Sequence, residues 1–328
     1  MIRRVALFLV LAILLTGCAG QRPSRYSRMY YDAFDTVIQL TVYAQAEPDF
    51  SAFEEELSRL DAVFDRYAEH PGICGLWALN ASGGDWLEIE PELYELLTLC
   101  KQWWEKYGDR VNPGMGEVIS LWAEYREAGE GVPSDRELSQ AAEHSDFSSL
   151  ELSEGRARLT DPEMTLDLGA SAKGYAAGVL QEMLLEEYDS FLLDMGGNIT
   201  ACGEKADGSG LWQVGVRAPE TGGILLTMRM EDLSASTSAG DQRYYEWNGV
   251  RYHHLLDPET LYPANFVRQV TVLSENAALA DYFSTLLFVT PVERALALAE
   301  SVPEIGAIFV LNDGSVQMTG NAEKWVEE

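Results

Sequence analysis

The mixture of short strand-like and longer helix-like segments after residue 157 is the feature that most restricts the fold of this chain. Alternating, β-branched stretches predict strands at 157–167, 191–195, 211–217, 224–231 and 269–273. Helical spacing of apolar residues predicts helices at 171–187 and 275–289. Because the two kinds of segment do not follow a steady strand–helix–strand rhythm, the sequence predicts an α+β fold.

The N-terminal part of the chain carries a similar mixture. Apolar and β-branched residues alternate over 30–43, which predicts a strand. Helices are predicted at 50–64, 92–104 and 118–122, with a Gly- and Pro-rich loop at 109–116. The segment 129–150 is polar and irregular, and we expect it to be the least ordered stretch.

The first residues resemble an export signal. Arg3 and Arg4 precede an apolar run, Val5 to Leu15, that is too short for a comfortable transmembrane helix. The following Leu15-Thr16-Gly17-Cys18 resembles the bacterial lipobox, in which Cys18 would be lipidated and become the mature N-terminus. An ordinary signal or a stop-start helix with a chance cysteine is the alternative.

This signal divides the chain into three parts. We expect a lipoprotein signal peptide at 1–17, a lipidated tether at 18–29 and one folded domain at 30–328. The domain is then expected to work outside the cytoplasm, held to a membrane by its lipid.

The charge of the chain limits its partners. A formal net charge of −30 argues against nucleic acid and against electrostatic attraction to anionic lipid. The same charge would repel an anionic cofactor unless metal ions or backbone amides offset it locally.

Two turns follow predicted strands and have residues suited to a ligand. In the first, Asp167 ends a strand and a helix starts near Ser171, with Lys173 in its first turn. A helix N-terminus attracts phosphate, although a tight strand-to-helix corner explains these residues equally well. In the second, Gly196 and Gly197 allow close approach of a ligand or form a simple turn.

A histidine pair marks a third cluster, close to Asp257. His254 or Asp257 could take a proton from an attacking hydroxyl. Alternation along a strand places the rings of His253 and His254 on opposite faces, so we expect one of them to be exposed and idle.

Asp281 and Thr285 form the fourth cluster. They are four residues apart on a predicted helix and therefore share one face. A carboxylate and a hydroxyl are hard oxygen ligands, which suit Mg²⁺ better than Zn²⁺. Backbone carbonyls, phosphate and water would complete such a site. A helix acid with an unrelated threonine is the alternative.

The order and spacing of these clusters resemble the ApbE family of FAD:protein FMN transferases. The family pattern reads D-L-G-G-I-A-K-G-Y-A, N-A-G-G-D-I, T-S-G-D with R-Y, H-I-I-D-P-x-T-G-x-P and A-D-A-x-x-T. The matching segments, in the same order, are Asp167 to Ala176, Asp194 to Ile199, Thr237 to Tyr244, His254 to Pro263 and Ala280 to Thr285. The chain departs from the pattern at Gly169-Ala170-Ser171, at Leu261 in place of glycine, and at Phe34-Asp35 in place of M-G.

The resemblance implies a set of ligands. Mg²⁺ would be held by the backbone oxygen of Ala170 and by the side chains of Asp281 and Thr285. The residues expected to contact FAD are Phe34, Asn112, Asp167, Lys173 and Leu256, with Gly196 and Gly197 close to it.

The resemblance also implies a reaction. A Thr or Ser hydroxyl of an acceptor would attack the FMN phosphorus of FAD and AMP would leave, with His254 as the expected base and Asp257 as the second choice. The acceptors would be exported flavoproteins, such as respiratory reductase subunits or FMN-binding domains. A FAD pyrophosphatase and a non-catalytic flavin-binding lipoprotein are the alternative functions.

Overall fold

The computed structural model describes residues 22–219 and 221–326. The strands are β1 (Ser24–Ala33), β2 (Thr36–Ala44), β3 (Leu87–Glu88), β4 (Leu150–Ser153), β5 (Arg156–Leu159), β6 (Phe191–Met195), β7 (Asn198–Cys202), β8 (Trp212–Arg217), β9 (Ile224–Met230), β10 (Leu233–Ala239), β11 (Tyr244–Trp247), β12 (Val250–His253), β13 (Gln269–Ser274), β14 (Gly306–Val310) and β15 (Val316–Met318). The helices are α1 (Ser51–Phe64), α2 (Leu76–Asn80), α3 (Pro91–Tyr107), α4 (Gly116–Ala128), α5 (Asp135–Ala141), α6 (Ala172–Leu185), α7 (Ala277–Phe288), α8 (Val292–Ser301) and α9 (Gly320–Glu323).

A large antiparallel sheet organises the described part of the chain. Its strands follow the order β1-β2-β6-β7-β10-β13-β14-β15. Helices α1, α6 and α7 pack on one face, through buried side chains such as Leu60, Leu180 and Phe283, and α3 packs against α7 through its aromatic side chains. Hairpin β8–β9 packs on the opposite face around Trp212 and Met230. This arrangement confirms the predicted α+β fold.

Several predicted elements are found with small shifts at their ends. The strand predicted at 191–195 is β6. The helices predicted at 171–187 and 275–289 are α6 and α7, and each is slightly shorter than predicted.

The strand predicted at 30–43 is instead a hairpin. β1 and β2 pair antiparallel, and Phe34 and Asp35 between them have φ values of +55° and +50°. Residues such as Phe rarely adopt this left-handed conformation. The alternation of apolar residues runs through the turn without Gly, Asn or Pro to mark it, and for that reason the sequence did not reveal it.

The folded part also begins earlier than residue 30. β1 starts at Ser24, so part of the predicted tether 18–29 belongs to the sheet. The predicted signal peptide at 1–17 and Cys18 lie outside the described residues. Among the described helices, none combines the length and apolar character needed to span a membrane.

Residues 129–150 are more regular than predicted. They contain α5, which begins with a capping box: Ser134 accepts the Glu137 amide, and the Glu137 carboxylate accepts the Ser134 amide. Leu138 and Phe147 are buried. The local capping residues organise this segment although its composition is polar.

The strand predicted at 157–167 is also shorter than expected. β5 ends at Leu159, and Thr165 forms an isolated bridge with Met115. The side chain of Asn80 bonds both backbone groups of Leu166. These bonds hold an extended segment that leads directly to the cavity described next.

Candidate functional site

A cavity of about 860 Å³ lies between the β1–β2 hairpin, the start of α6 and one face of α7. This volume is in the range of sites that hold small ligands and cofactors. The structure brings most of the predicted site residues to its wall, namely Phe34, Asn112, Asp167, Ala170, Lys173, Gly196, His254, Leu256, Asp281 and Thr285. Two predicted residues, Gly197 and Asp257, lie off this wall.

Asp281 lies where α6 and α7 meet. Its Oδ2 accepts a hydrogen bond from the Gly174 amide at 2.8 Å, and its Oδ1 lies 3.1 Å from Ser236 Oγ. Gly174 is the third residue of α6, where the backbone amide has no acceptor within the helix, and Asp281 supplies that acceptor. Ala170 precedes the N-cap Ser171, and no described residue donates a hydrogen bond to its carbonyl. The predicted metal ligands Ala170, Asp281 and Thr285 therefore border one cavity, with the Ala170 oxygen available.

A cluster of hydroxyl groups surrounds these ligands. Ser236 Oγ contacts Asn198 Oδ1 and lies 3.2 Å from Ser284 Oγ. Ser238 Oγ lies 2.9 Å from Ser284 Oγ and 3.3 Å from Thr285 Oγ1. The sequence reasoning missed this cluster, although residues two apart on β10, such as Ser236 and Ser238, must face the same side.

The donors at this place fit a hard cation. Within the described ranges, no three His, Cys, Asp or Glu side chains converge as a metal site. What converges is one carboxylate, hydroxyl groups and a backbone carbonyl. Mg²⁺ prefers such oxygen donors when substrate phosphates and water complete its shell.

Asp167 anchors the turn before α6. Its Oδ1 accepts the Gly169 amide at 2.8 Å, and its Oδ2 lies 3.3 Å from Arg66 Nε. Arg66 also donates to the Gly116 carbonyl at 3.1 Å, which ties the turn to the start of α4. Lys173 Nζ lies 3.5 Å from the Gly169 carbonyl, at the edge of the cavity.

The turn of the β1–β2 hairpin forms another part of the wall. The Phe34 amide donates to Asp61 Oδ1 at 2.7 Å, and Arg243 donates to the Asp35 carbonyl at 2.7 Å. Both contacts use backbone groups that the left-handed turn exposes. They fix the position of Phe34 beside the cavity.

The glycine pair after β6 has two different roles. Gly196 and Gly197 have φ values of +68° and +97°, which favour glycine. A Cβ on Gly196 would overlap the side chain of Thr36, so glycine is needed for the turn to lie against the hairpin. The Gly197 amide donates to Asp194 Oδ1 at 3.0 Å and closes the turn behind the wall.

His254 faces the cavity with one nitrogen free to accept a proton. Its Nδ1 lies 3.3 Å from the Arg243 carbonyl, and since a carbonyl only accepts, Nδ1 carries the hydrogen. Burial, together with the charges of Arg243 and Lys173, lowers the pKa of His254 to about 3. The ring is therefore neutral at neutral pH, with the lone pair on Nε2.

His253 has a structural position. Its Nε2 donates to the Ala264 carbonyl at 2.9 Å, and its Nδ1 accepts the Leu255 amide at 3.2 Å. The ring packs edge-on against Phe288. The expectation that one ring of the pair would be exposed and idle was wrong, because the backbone binds both nitrogens of His253.

Comparison with known proteins identifies the family of this chain. The model of the ApbE family matches residues 34–309. The chain belongs to the ApbE family. The FAD:protein FMN transferase of Treponema pallidum (strain Nichols) is 32% identical, over 94% of this chain and 91% of that protein. The FAD:protein FMN transferase of Klebsiella pneumoniae (strain 342) is 28% identical, over 72% of this chain and 74% of that protein.

Solved structures share the fold. The ApbE protein of Thermotoga maritima MSB8 has a TM-score of 0.84 and 25% identity, covering 93% of this chain and 100% of that one. The flavin transferase ApbE from Vibrio cholerae has a TM-score of 0.80 and 20% identity, covering 92% of this chain and 99% of that one. The similarity to the Vibrio protein supports the ApbE fold alone.

Two residues predicted from the ApbE resemblance have protein partners in the structure. Asp257 Oδ1 lies 2.7 Å from Arg110 Nη1, in an ion pair that is almost fully buried. This carboxylate positions the turn after His254 and is not placed to act as a base. Asn112 donates to the Ser145 carbonyl at 2.9 Å and accepts the Gly114 amide at 2.9 Å, so its side chain shapes the loop at the wall.

Charged side chains of both signs line the ApbE cavity. The cations on its wall, among the described residues, are Arg66, Arg110, Arg126, Lys173 and Arg243. Only Lys173 was predicted as a cofactor contact. The others come from separate parts of the chain, and only the fold brings them together. The same wall carries six aspartates, namely Asp32, Asp35, Asp61, Asp65, Asp167 and Asp281. An anionic ligand would therefore need a bound cation to offset these carboxylates.

Proposed function

We propose that this chain is a Mg²⁺-dependent FAD:protein FMN transferase. One observation carries the proposal: Asp281 and Thr285 border the same cavity as the available carbonyl of Ala170, next to the start of α6. These oxygens fit Mg²⁺, and the helix N-terminus with its nearby cations fits a diphosphate. Membership of the ApbE family supports FAD as the substrate.

The reaction we propose is an exchange at one phosphorus atom. The oxygen of an acceptor Thr or Ser bonds to the FMN phosphorus of FAD, and the P–O bond to the AMP phosphate breaks. The electrons of that bond leave with AMP, and the hydroxyl proton passes to Nε2 of His254. The product is FMN joined to the acceptor protein by a phosphoester.

The residues of this chain supply binding and orientation. A bound Mg²⁺ would neutralise charge on the diphosphate and polarise its phosphoryl oxygens. Lys173 and Arg243 add positive charge on the same side. Ser236 Oγ donates to the Asp281 carboxylate and holds it in place. Ser236 is itself positioned by its contact with Ser284 in the hydroxyl cluster.

His254 suits the role of proton acceptor. Its Arg243 contact fixes the tautomer with a free Nε2. Its pKa is low because of burial and of the cations that surround it. An anionic diphosphate next to Arg243 and Lys173 would offset those cations and raise the basicity of His254 when the substrate is bound.

The function is tested by incubating the protein with FAD, Mg²⁺ and an acceptor flavoprotein domain. Flavin fluorescence that stays with the acceptor in a denaturing gel is the expected result. Release of FMN and AMP without labelled acceptor would identify a FAD pyrophosphatase instead. Binding of FAD without any turnover, with or without a chelator, would identify a flavin-binding lipoprotein.

Two variants sharpen this test. Asp281→Asn should abolish labelling because it removes the carboxylate from the metal site. Asp313→Asn is the matched control, because it removes the same charge from an exposed turn before β15. Equal activity of both variants would contradict the proposed metal site.

We further propose that the enzyme acts outside the cytoplasm on exported flavoproteins, such as respiratory reductase subunits or FMN-binding domains. The support is the lipobox-like sequence that ends at Cys18. Cells that express the chain should incorporate labelled fatty acid into it, and Cys18→Ala should remove the label and release the protein from the membrane fraction. An unlabelled, membrane-free wild type would overturn the anchor.

A further inference from the structure

The cavity has an open end and an enclosed end. Tyr31 and Tyr67 border the open end and are 63% and 67% exposed. Met115, Trp122 and Leu256 border the part that we call the enclosed end; they are 5%, 2% and 9% exposed and pack in one apolar cluster with Val118 and Leu138. A ligand that spans the cavity therefore has one half near solvent and the other against buried side chains.

The direction of group transfer decides which half of FAD lies at each end. This step rests on the proposed function. FMN is the group that passes to another protein, so its half must be reachable by that protein. AMP is the leaving group, and in an in-line displacement it lies on the side opposite the attacking hydroxyl. The enclosed end therefore suits the AMP half.

Helix α4 supplies the wall of the enclosed end. Ile119, Trp122 and Arg126 line the cavity and are spaced three and four residues apart, so they share one face of this helix. The Trp122 ring is fixed by its Nε1 hydrogen bond to the Leu261 carbonyl and by stacking on Tyr252. Apart from the guanidinium group of Arg126, the side chains of this helix face that line the cavity are apolar.

Arg126 differs from the other cations of the cavity. Arg66 and Arg110 form ion pairs with Asp167 and Asp257, and Arg243 donates to the Asp35 carbonyl. No residue in the described ranges forms an ion pair or hydrogen bond with the half-buried Arg126. Arg126 lies in the last turn of α4, where the helix dipole favours a cation. The dipole alone does not explain why this cation lies on the cavity wall.

We propose that Arg126 is a specificity-determining residue that binds the adenine base of the AMP half of FAD. A guanidinium group stacks on aromatic faces and donates hydrogen bonds without accepting any. Adenine offers both an aromatic face and ring nitrogens that accept. The apolar residues of the same helix face cover the remainder of the base.

The test measures binding of AMP, FMN and FAD separately by titration calorimetry, with Mg²⁺ present. Arg126→Gln should weaken AMP and FAD roughly tenfold, as expected for a lost cation–π contact at a half-buried site. FMN affinity should change much less. Arg126→Lys should recover only part of the loss, because an ammonium group lacks the planar face.

Arg136→Gln is the matched control, because it removes the same charge from the exposed surface of α5. It should leave the affinity for all three ligands at the wild-type value. A loss of FMN affinity equal to that of AMP in Arg126→Gln would overturn the proposal, and so would unchanged AMP affinity. A loss of AMP affinity in Arg126→Gln that is explained by a lower melting temperature of the variant would also contradict the proposal.

The binding series also separates this inference from the proposed function. If the wild type transfers no FMN but Arg126→Gln loses AMP affinity selectively, the transferase proposal fails and the role of Arg126 stands. If transfer occurs but Arg126→Gln leaves AMP affinity unchanged, the transferase proposal stands and the role of Arg126 fails.

Discussion

The Asp281 carboxylate accepts a hydrogen bond from the backbone amide of Gly174, with 2.8 Å between Oδ2 and the nitrogen. This bond joins the start of α6 to α7. It keeps the carboxylate in place and satisfies an amide that has no acceptor within α6. One backbone contact thus positions the carboxylate that the proposed metal site uses.

Gly174→Ala should separate the two helices at this contact. An added Cβ would overlap the Ala277 carbonyl and the Asp281 Cβ. We expect a loss of about 1–3 kcal/mol in the free energy of unfolding and a marked rise in the Mg²⁺ concentration needed for transfer. Denaturant titration and Mg²⁺-dependent rates measure both effects.

Gly178→Ala provides the control on the same helix. Nothing lies within 4 Å of a Cβ at Gly178. Alanine favours helix over glycine by about 0.5–1 kcal/mol, so this variant should be as stable as the wild type or more so. Equal damage from both substitutions would show that the Gly174 contact has no special role.

Thr285→Val should weaken the proposed metal site without changing its shape. Valine has nearly the volume of threonine but lacks the hydroxyl that lies 3.3 Å from Ser238 Oγ. The apparent Mg²⁺ affinity in the transfer assay should fall, and Thr285→Ser, which keeps the hydroxyl, should retain most of it. Identical Mg²⁺ titration curves for Thr285→Val and the wild type would exclude Thr285 as a ligand.

His254→Gln should reduce the rate of transfer about 10²- to 10⁴-fold, as expected for loss of a general base, with FAD affinity retained. Because the pKa of His254 in the free enzyme is about 3, the ring is already neutral well below its ordinary pKa. The pH profile of kcat/KM should therefore lack an acidic limb near 6.5. A limb at that pH which disappears in His254→Gln would contradict the lowered pKa.

Asp257→Asn should act on stability, because Asp257 pairs with the buried Arg110. Removing one partner leaves the other charge uncompensated, which costs about 3–5 kcal/mol in buried pairs. We expect a loss toward the lower end, since Arg110 also binds Glu259 and the Val289 carbonyl. Glu259→Gln, at a side chain that is 68% exposed, should have little effect. A folded Asp257→Asn protein without transfer activity would restore Asp257 as a base.

His253 should make the protein less stable as the pH falls below neutrality. Burial lowers its pKa from 6.5 to about 4. Between these values the unfolded chain binds a proton that the folded chain does not, so acid favours unfolding. From about pH 7 to about pH 5 the loss is about 2 kcal/mol. His253→Gln should show a smaller loss over the same interval, measured by denaturant titration at each pH.

The sequence by itself determined the elements and the chemistry that depend on neighbouring residues. The periodicity at 171–187 and 275–289 marks α6 and α7, and the four-residue spacing of Asp281 and Thr285 guarantees a shared helix face. These predictions succeed because residues within one or two turns meet wherever the helix lies.

Only the tertiary structure decided how those pieces face one another. The Phe34–Asp35 turn, the pairing of Asp257 with Arg110 and the bond from Gly174 to Asp281 join residues whose partners lie far away in the sequence or whose backbone conformation is unusual. No local pattern encodes such contacts. They arise because sheet order and helix packing bring distant segments together, where burial selects the arrangement that satisfies their charges and hydrogen bonds.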